Sequence, residues 1–145
     1  METIKRLLQT EIEHRLRPNK AVLLYGARRV GKTMLAKSIA DNYQGKVLSL
    51  NGEDLDVQAM LANRTVTNYR QQCSGIELLI IDEAQNVRDI GQAIKLMVDE
   101  VEGISVLATG SSSFDLQNHV GEPLVRRATQ VMLTPFSQKE IRQHE

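Results

Sequence analysis

Short apolar runs alternate along this chain with longer segments in which apolar residues recur at helical spacing. Five runs are predicted to be β-strands, because each is short, mostly aliphatic and bounded by polar or glycine-containing segments. They cover residues 21–25, 46–50, 78–81, 105–109 and about 130–133. The third run, Leu78 to Ile81, is entirely apolar, which predicts a strand that is buried on both faces.

Helices are predicted before the first strand, after it and before the fourth strand. The first ends before Pro18, and the second runs to about Tyr43, where Gly45 ends it. The third has the clearest pattern, with Asp89 placed to cap its start and Gly103 to end it. Its apolar positions follow i, i+3, i+4, i+7 spacing: Ile90, Ala93, Ile94, Met97, Val98 and Val101.

Two regions carry weaker patterns. Residues 51–75 are polar, with only a short helical pattern at Val57, Met60 and Leu61, so this segment is expected to be the most mobile part. Residues 138–142 are typical of the beginning of a helix. Because that helix starts so near the final residue, residues 1–145 are expected to be one domain from a longer protein.

The alternation of strands and helices predicts an α/β fold with a mainly parallel sheet. Ligands of such sheets bind beyond the carboxyl ends of the strands. Every motif described below follows the end of a predicted strand, which agrees with that arrangement.

A phosphate-binding loop follows the first strand. Gly26 to Thr33 match the pattern G-x-x-x-x-G-K-[ST]. The glycines let the backbone curl so that its N–H groups face phosphates, and the next helix begins with its positive dipole end there. Lys32 would contact the β- and γ-phosphates and Thr33 would hold Mg²⁺. The predicted nucleotide contacts are Gly26, Ala27, Arg28, Arg29, Val30, Gly31, Lys32, Thr33 and Met34.

Two carboxylates follow the third strand, in the pattern called Walker B. Asp82 is predicted to hold Mg²⁺ directly or through a water molecule, and Glu83 to orient and polarise the attacking water. Phosphoryl transfer needs a metal ion that neutralises charge on the phosphates and a nucleophile that is aligned with the phosphorus atom. A solvated strand end is the alternative for an isolated acidic pair, and the upstream phosphate loop argues against it.

The fourth strand runs into hydroxyl side chains at Thr109 and Ser111. Either could contact the γ-phosphate or the attacking water, as a sensor does. A glycine turn with a serine cap for the next helix explains the same residues equally well.

The arginines and a basic stretch have several interpretations. Arg126 or Arg127 could stabilise transition-state charge, in cis or in trans, or be solvated. Arg28 and Arg29 could contact phosphate or a partner domain, or lie in solvent. Residues 14–20 could meet the adenine edge or nucleic acid, but a charged helix end before a turn is favoured, since no aromatic residue interrupts them.

The composition excludes several classes of protein. The formal net charge is zero, so no overall field attracts nucleic acid or a membrane. Cys73 is the single cysteine, which excludes an internal disulfide and a cysteine-rich zinc site. No apolar run approaches the roughly 18 residues of a membrane span. A cytoplasmic protein with a largely aliphatic core is expected, because aromatic residues make up only 3%.

Four stretches, in this order, resemble the predicted ATPases of the AAA+ superfamily in bacteria and archaea: Gly26 to Thr33, Ile81 to Gln85, Ala108 to Ser112 and Leu124 to Ser137. In that family an N-terminal ATPase domain usually precedes a domain resembling a restriction endonuclease. The resemblance implies a P-loop NTPase three-layer sandwich with strand order 5-1-4-3-2. It also implies Mg²⁺ and ATP at Lys32, Thr33, Asp82 and Glu83, with the turn after Thr109 as sensor.

The resemblance also marks a departure. Arg126 stands where members often have glycine, whereas Arg127 matches the family arginine. The small helical domain of many AAA+ proteins, with its lid, is not found in these residues. Weak nucleotide affinity and slow turnover are therefore expected of residues 1–145 alone.

Three functions fit these motifs to different degrees. Hydrolysis of ATP by a motor or switch module is favoured, because a pure binder needs no water-polarising acid such as Glu83. A nucleotide-dependent binding switch with negligible hydrolysis is the alternative, and a small-molecule kinase lacks a recognisable acceptor pocket. A GTPase is disfavoured because no Asn-Lys-x-Asp follows the loop. A missing C-terminal domain, DNA, a protein or further subunits are expected partners.

Overall fold

The central feature of the chain is a six-stranded sheet. The computed structural model describes residues 2–26, 31–111, 126–133 and 142–144. The strands lie in the order β2-β3-β4-β1-β5-β6. They are β1 (Lys20–Gly26), β2 (Val47–Asn51), β3 (Leu78–Asp82), β4 (Ser105–Gly110), β5 (Ala128–Leu133) and β6 (Arg142–His144). The first five pair in parallel, which confirms the predicted α/β fold and the strand order 5-1-4-3-2.

The sixth strand was not predicted. β6 pairs antiparallel with β5, through Gln130 opposite His144 and Met132 opposite Arg142. The helix expected over 138–142 is therefore wrong at Arg142, and its residues 138–141 lie outside the described residues. β6 satisfies backbone hydrogen-bonding groups at the edge of β5. A segment of three residues is too short for its hydrophobic pattern to predict a strand.

The parallel register places the chemically important residues at one edge of the sheet. Tyr25 of β1 lies opposite Gly110 of β4, and Asn51 of β2 lies opposite Asp82 of β3. Because parallel strands all point the same way, the phosphate loop and both later motifs begin at the same carboxyl edge.

Helices cover both faces of the sheet. They are α1 (Glu2–Arg15), α2 (Lys32–Asn42), α3 (Leu55–Ala62), α4 (Val66–Gln72) and α5 (Ile90–Glu100). Side chains of a strand alternate between faces, so Val22 and Leu24 of β1 pack with α1 and α2, whereas Leu23 and Tyr25 pack with α3, α4 and α5. This is the predicted three-layer arrangement. Within the described residues, no helix has the length and apolar character needed to cross a membrane.

The segment between β2 and β3 is more ordered than its composition indicates. It forms two helices, α3 and α4, of which α4 was missed. Tyr69 is 1% exposed, and its hydroxyl donates to the Leu61 carbonyl oxygen at 2.5 Å. The side chains of Asp54 and Thr65 cap the two helices. The short helical pattern at Val57, Met60 and Leu61 lies in α3, and the expectation that this segment is the most mobile part stays a prediction.

The ends of α5 differ from the expectation. Asp89 adopts a left-handed backbone with φ of +54°, and its side chain makes no capping hydrogen bond. Its carboxylate pairs with Arg64 at 3.3 Å instead, so the predicted cap is wrong. At the other end the Asn19 amide donates to the carbonyl oxygens of Val98 and Val101 at 2.8 and 3.0 Å. Gly103 donates its N–H to the Asn19 side-chain oxygen at 3.0 Å.

Candidate nucleotide-binding site

The two described ends of the phosphate loop have the conformation that the motif requires. Gly26 ends β1, and α2 begins at Lys32. Gly31 has φ of +91°, which a residue with a side chain adopts only with strain. The predicted contacts Ala27, Arg28, Arg29 and Val30 lie outside the described residues.

Two residues that follow Gly31, Lys32 and Met34, differ in exposure. Lys32 is only 5% exposed, and Met34 is 69% exposed. The Lys32 side chain is therefore sheltered from water at the start of α2, where a helix N-terminus favours anions. The Met34 side chain faces solvent, so any contact it makes with a nucleotide would lie at the rim of the site.

Thr33 and Asp82 are brought together across the sheet edge. The Thr33 hydroxyl donates to Asp82 Oδ2 at 3.1 Å, although the two residues come from separate motifs. Hydroxyl and carboxylate oxygens are ligands that Mg²⁺ accepts, and nucleotide sites usually supply one or two protein ligands with water and phosphate. The pair fits that ion. No cluster of three or more His, Cys, Asp or Glu side chains able to hold a metal occurs in the part of the chain that the structure describes.

Thr109 joins β4 to the acidic turn after β3. Its hydroxyl donates to Asp82 Oδ1 and accepts the Glu83 backbone N–H at 3.2 Å. Thr109 is fully buried. In this arrangement the Thr109 hydroxyl bonds the Asp82 carboxylate and the Glu83 N–H, so it positions Asp82. The direct contact of Thr109 with nucleotide stays a prediction.

A glutamine that sequence reasoning assigned no role lies between Glu83 and Ser111. Gln85 Nε2 donates to Glu83 Oε1 and to Ser111 Oγ, both at 2.8 Å. The Ser111 N–H donates back to Gln85 Oε1 at 3.3 Å. Gln85 was visible in the sequence only as part of the family resemblance. Its position in a short 3₁₀ turn (Ala84–Asn86) could not be read from hydrophobic spacing.

Gly52 packs directly against the backbone of Asp82 and Glu83. Glu83 has φ of +52°, a left-handed conformation that costs of order 1–3 kcal/mol for a residue other than glycine. The Gly52 N–H donates to the Asp82 carbonyl oxygen at 2.7 Å. A Cβ atom at Gly52 would lie 2.3 Å from the Glu83 carbonyl oxygen, so only glycine allows β2 to approach the turn this closely.

Arg127 lies at the opposite edge of the sheet from this cluster. Its carbonyl oxygen accepts the Ala21 N–H at 2.9 Å, near the start of β1. Gly26 lies five residue steps beyond Ala21 along β1, which is roughly 17 Å at the usual rise of a strand. The predicted catalytic contact of Arg127 in cis is therefore wrong. Its guanidinium pairs with Asp99 at 2.8 Å, and this hydrogen bond raises the pKa of Arg127 above its ordinary value.

The basic stretch before β1 is also distant from the phosphate loop. Lys20 and Gly26 are the two ends of the same strand, about 20 Å apart. This distance separates Lys20 from the phosphates. The three interpretations of residues 14–20, a contact with the adenine edge, a nucleic-acid contact and a solvated helix end, stay predictions.

Comparison with known proteins agrees with this geometry. The profile of the AAA domain family AAA_14 matches residues 18–142. This chain belongs to the AAA domain family. The match includes the phosphate loop and the motifs after β3 and β4, so the resemblance drawn from the sequence is confirmed for the ATPase domain.

Individual relatives of this AAA domain are longer proteins. The chain is 29% identical over 112 residues to a proteasome-associated ATPase of Catenulispora acidiphila, covering 74% of this chain and 19% of the relative. It is 31% identical over 105 residues to the one of Nakamurella multipartita, covering 70% and 18%. The chain thus spans about a fifth of the length of these relatives.

A solved structure supports the fold. Thermotoga maritima RuvB T158V superimposes with a TM-score of 0.59 at 18% identity, covering 92% of this chain and 44% of that one. At this identity the likeness concerns the fold alone, and it agrees with the parallel sheet of order 2-3-4-1-5.

Proposed function

We propose that this AAA domain binds ATP with Mg²⁺ and hydrolyses it to ADP and phosphate. The observation that carries the proposal is the convergence of Thr33, Asp82, Glu83 and Ser111 at the carboxyl edge of the sheet. These residues come from three separate chain segments. They supply a metal-binding pair, a water-polarising acid and a hydroxyl within one hydrogen-bonded cluster.

Each part of the site has a distinct role in this proposal. The loop backbone from Gly26 to Gly31 and the sheltered ammonium of Lys32 bind the phosphates. Thr33 and Asp82 hold Mg²⁺, which neutralises charge on the β- and γ-phosphates when it is bound. Thr109 keeps the Asp82 carboxylate aimed at Thr33 by hydrogen bonding to its other oxygen.

Glu83 performs the proton chemistry. Its carboxylate accepts a hydrogen bond from the attacking water and so aligns it with the γ-phosphorus. Gln85 limits the positions that the carboxylate can adopt, since it donates to Glu83 Oε1. Ser111, which shares the same amide group, lies where a hydroxyl can report on the γ-phosphate.

A nucleotide-dependent binding switch with negligible hydrolysis is the second candidate. One observation favours it. Glu83 Oε1 already accepts the Gln85 amide, so this oxygen must share its hydrogen bonds, or lose one, before it can hold a water. In a switch, that bond would persist with ATP bound and the nucleotide would stay intact.

Titration with Mg-ATP tests the site. Saturable amide shifts at Gly31, Asp82 and Ser111 are expected and should be absent in Lys32→Ala. Unchanged spectra at millimolar ATP would contradict binding by this chain. Affinity is expected to be weak and turnover slow, because the lid of many AAA+ proteins is missing from these residues.

Release of phosphate separates the two candidates. Glu83→Gln should hold ATP without converting it, whereas wild type and the matched control Glu102→Gln should release phosphate. Glu102 is exposed and lies beyond α5, at the other end of the sheet. If wild type releases no more phosphate than Glu83→Gln, the switch is correct and the hydrolase is not.

The wider context of this activity follows from the relatives. Because the matched region is only about a fifth of the length of these relatives, we propose that the ATPase is the motor or switch module of a longer cytoplasmic protein. Its partners would be a C-terminal domain of the same protein and DNA or another protein, with oligomers formed by the whole molecule. Arg127 could contact a nucleotide only in trans, from a second subunit.

A further inference from the structure

A second concave surface lies at the amino ends of the strands, away from the proposed ATP site. It has a volume of about 840 Å³ and lies between the end of α1 and the starts of β1 and β5. Five permanently charged cations and one carboxylate line it: Arg15, Arg17, Lys20, Arg126, Arg127 and Glu11. We call this surface the basic concavity.

Its positive charge is only partly offset by neighbouring acids, since Asp99, Glu100 and Glu102 line the adjoining surface beside Lys20 and Arg126. Glu11 pairs with Arg15 at 2.9 Å, and Asp99 pairs with Arg127 at 2.8 Å. Among the described residues, no carboxylate forms an ion pair with the other three cations: Arg17, Lys20 and Arg126. All three are exposed. The chain as a whole has zero net charge, so this surplus is a local concentration of charge rather than a property of the composition.

Lys20 and Arg126 are held next to one another. The Lys20 ammonium donates to the Arg126 carbonyl oxygen at 3.0 Å, although the residues are far apart in the chain. This contact fixes the Lys20 ammonium beside the Arg126 backbone, and both residues line the basic concavity. A bound anion would reduce the repulsion between their two charges.

The backbone at Arg126 is a further, independent sign of function. Arg126 has φ of +69°, the left-handed conformation that glycine adopts without strain and that a side chain makes costly. Such strained residues concentrate at functional sites. An arginine here keeps its charge at the concavity at the expense of stability.

The chemistry of the lining indicates the ligand. Guanidinium groups match the geometry of phosphate oxygens and bind them in a bidentate manner. The described lining contains no phenylalanine, tyrosine or tryptophan on which bases could stack, its one ring is the His14 imidazole, and its apolar members are only Ala21 and Ala128. A protein partner would need larger apolar anchors than these.

We infer that the basic concavity binds the phosphate backbone of a nucleic acid, without reading its sequence. The site and the proposed ATP site lie at opposite ends of β1, about 20 Å apart. Both can therefore be occupied together. The inference does not depend on ATP hydrolysis, and it is tested without nucleotide.

Fluorescence anisotropy of a labelled duplex DNA, titrated with the chain in a salt series, measures this contact. If three phosphates are neutralised, the logarithm of the association constant should fall against that of salt with a slope of about −3. Lys20→Ala should reduce the slope by about 1. The matched control Lys46→Ala should not change it, because exposed Lys46 precedes β2 at the far side of the sheet.

The variant Arg126→Gly distinguishes a loss of DNA binding from a loss of folding. This variant removes the cation and relieves the left-handed strain. We expect its urea midpoint to move to higher concentration while DNA affinity falls at least several-fold. Weaker binding by a more stable protein cannot be a consequence of unfolding.

Three outcomes would overturn the inference. They are no anisotropy change at roughly 50 mM salt, equal losses in Lys20→Ala and Lys46→Ala, or displacement of DNA by polyglutamate as readily as by unlabelled duplex. The last result would assign the basic concavity to acidic protein segments. Loss of ATP binding in Lys32→Ala with DNA binding intact would show that the two sites are separate.

Discussion

At the scale of single residues, Gln85 orients the Glu83 carboxylate relative to the Ser111 hydroxyl. One side-chain amide joins Glu83, at the end of β3, to Ser111, after the end of β4. Without it, the Glu83 carboxylate could rotate freely in a turn whose backbone is already left-handed. Correct placement of a catalytic group is worth much of the rate that an enzyme achieves.

Replacement of this glutamine tests its role. Gln85→Ala should lower kcat for ATP hydrolysis by about tenfold to a hundredfold, because Glu83 loses its orienting bond. The Kd for ATP should stay within about twofold, since the hydrogen bonds of Gln85 orient Glu83 and Ser111. Phosphate-release kinetics and nucleotide titration measure the two quantities. The exposed Gln72→Ala is the matched control, and an equal fall in its kcat would refute the role.

At the scale of elements, α5 depends on a residue outside its own sequence. Asn19, in the turn before β1, bonds two carbonyl oxygens at the end of α5 and the Gly103 N–H beyond it. Helix ends leave carbonyl groups without intrahelical partners, and burial makes that costly. The turn and the helix are therefore one cooperative unit, although about 80 residues separate them in the chain.

Loss of the Asn19 amide should destabilise the whole domain. Asn19→Ala is expected to lower the free energy of unfolding by about 2 kcal/mol, since three backbone groups lose their partner. Asn19→Gly should lower the free energy of unfolding by a similar amount. Because glycine adopts the observed φ of +62° without strain, this loss would come from the missing amide. Urea unfolding measures both. The control Asn42→Ala loses only an exposed local bond to the Ser38 carbonyl oxygen and should change stability by less than about 0.5 kcal/mol.

The two helices between β2 and β3 show where prediction from spacing fails. α4 has seven residues, and of these only Tyr69 is buried. A single buried residue produces no periodic pattern. The helix is stabilised by its cap at Thr65, by the Tyr69 hydroxyl on Leu61 and by packing on α5. The packing on α5 is tertiary, so the spacing of apolar residues along the sequence could not reveal this helix.

At the scale of the whole molecule, the sheet separates two kinds of chemistry. Its carboxyl edge brings together Thr33, Asp82 and Glu83, and its amino edge carries the basic concavity. Because β1 runs between them, its seven residues connect the proposed nucleotide site to the proposed nucleic-acid site. A shift of β1 along its axis would move residues of both proposed sites.

Two buried ionisable groups, Tyr69 and Cys73, lower the free energy of unfolding as the pH becomes alkaline. Burial raises the pKa of Tyr69 to about 12 and raises the pKa of the Cys73 thiol above 9.0. The folded state therefore binds these protons more tightly than the unfolded state. Their stabilising contribution is complete below pH 9 and is lost as pH rises towards 12, since the unfolded chain ionises first.

Urea unfolding between neutral and alkaline pH measures this loss. Tyr69 contributes at most about 3 kcal/mol of the decline. Tyr69→Phe should be less stable near neutral pH, because it loses the bond to Leu61, yet its stability should fall less steeply above pH 10. Identical slopes in wild type and Tyr69→Phe would contradict the assignment.

The sequence by itself determined the class of fold, the strand order through a family resemblance, and the identities of the phosphate-loop and acidic residues. These features depend on local patterns: apolar runs, glycine spacing and charged strand ends. Only the tertiary structure decided which side chains meet. It joined Thr109 to Asp82 and Gln85 to Glu83, and it placed Arg127 at the other end of the sheet. Such pairings depend on strand register and direction, which no short stretch of sequence contains.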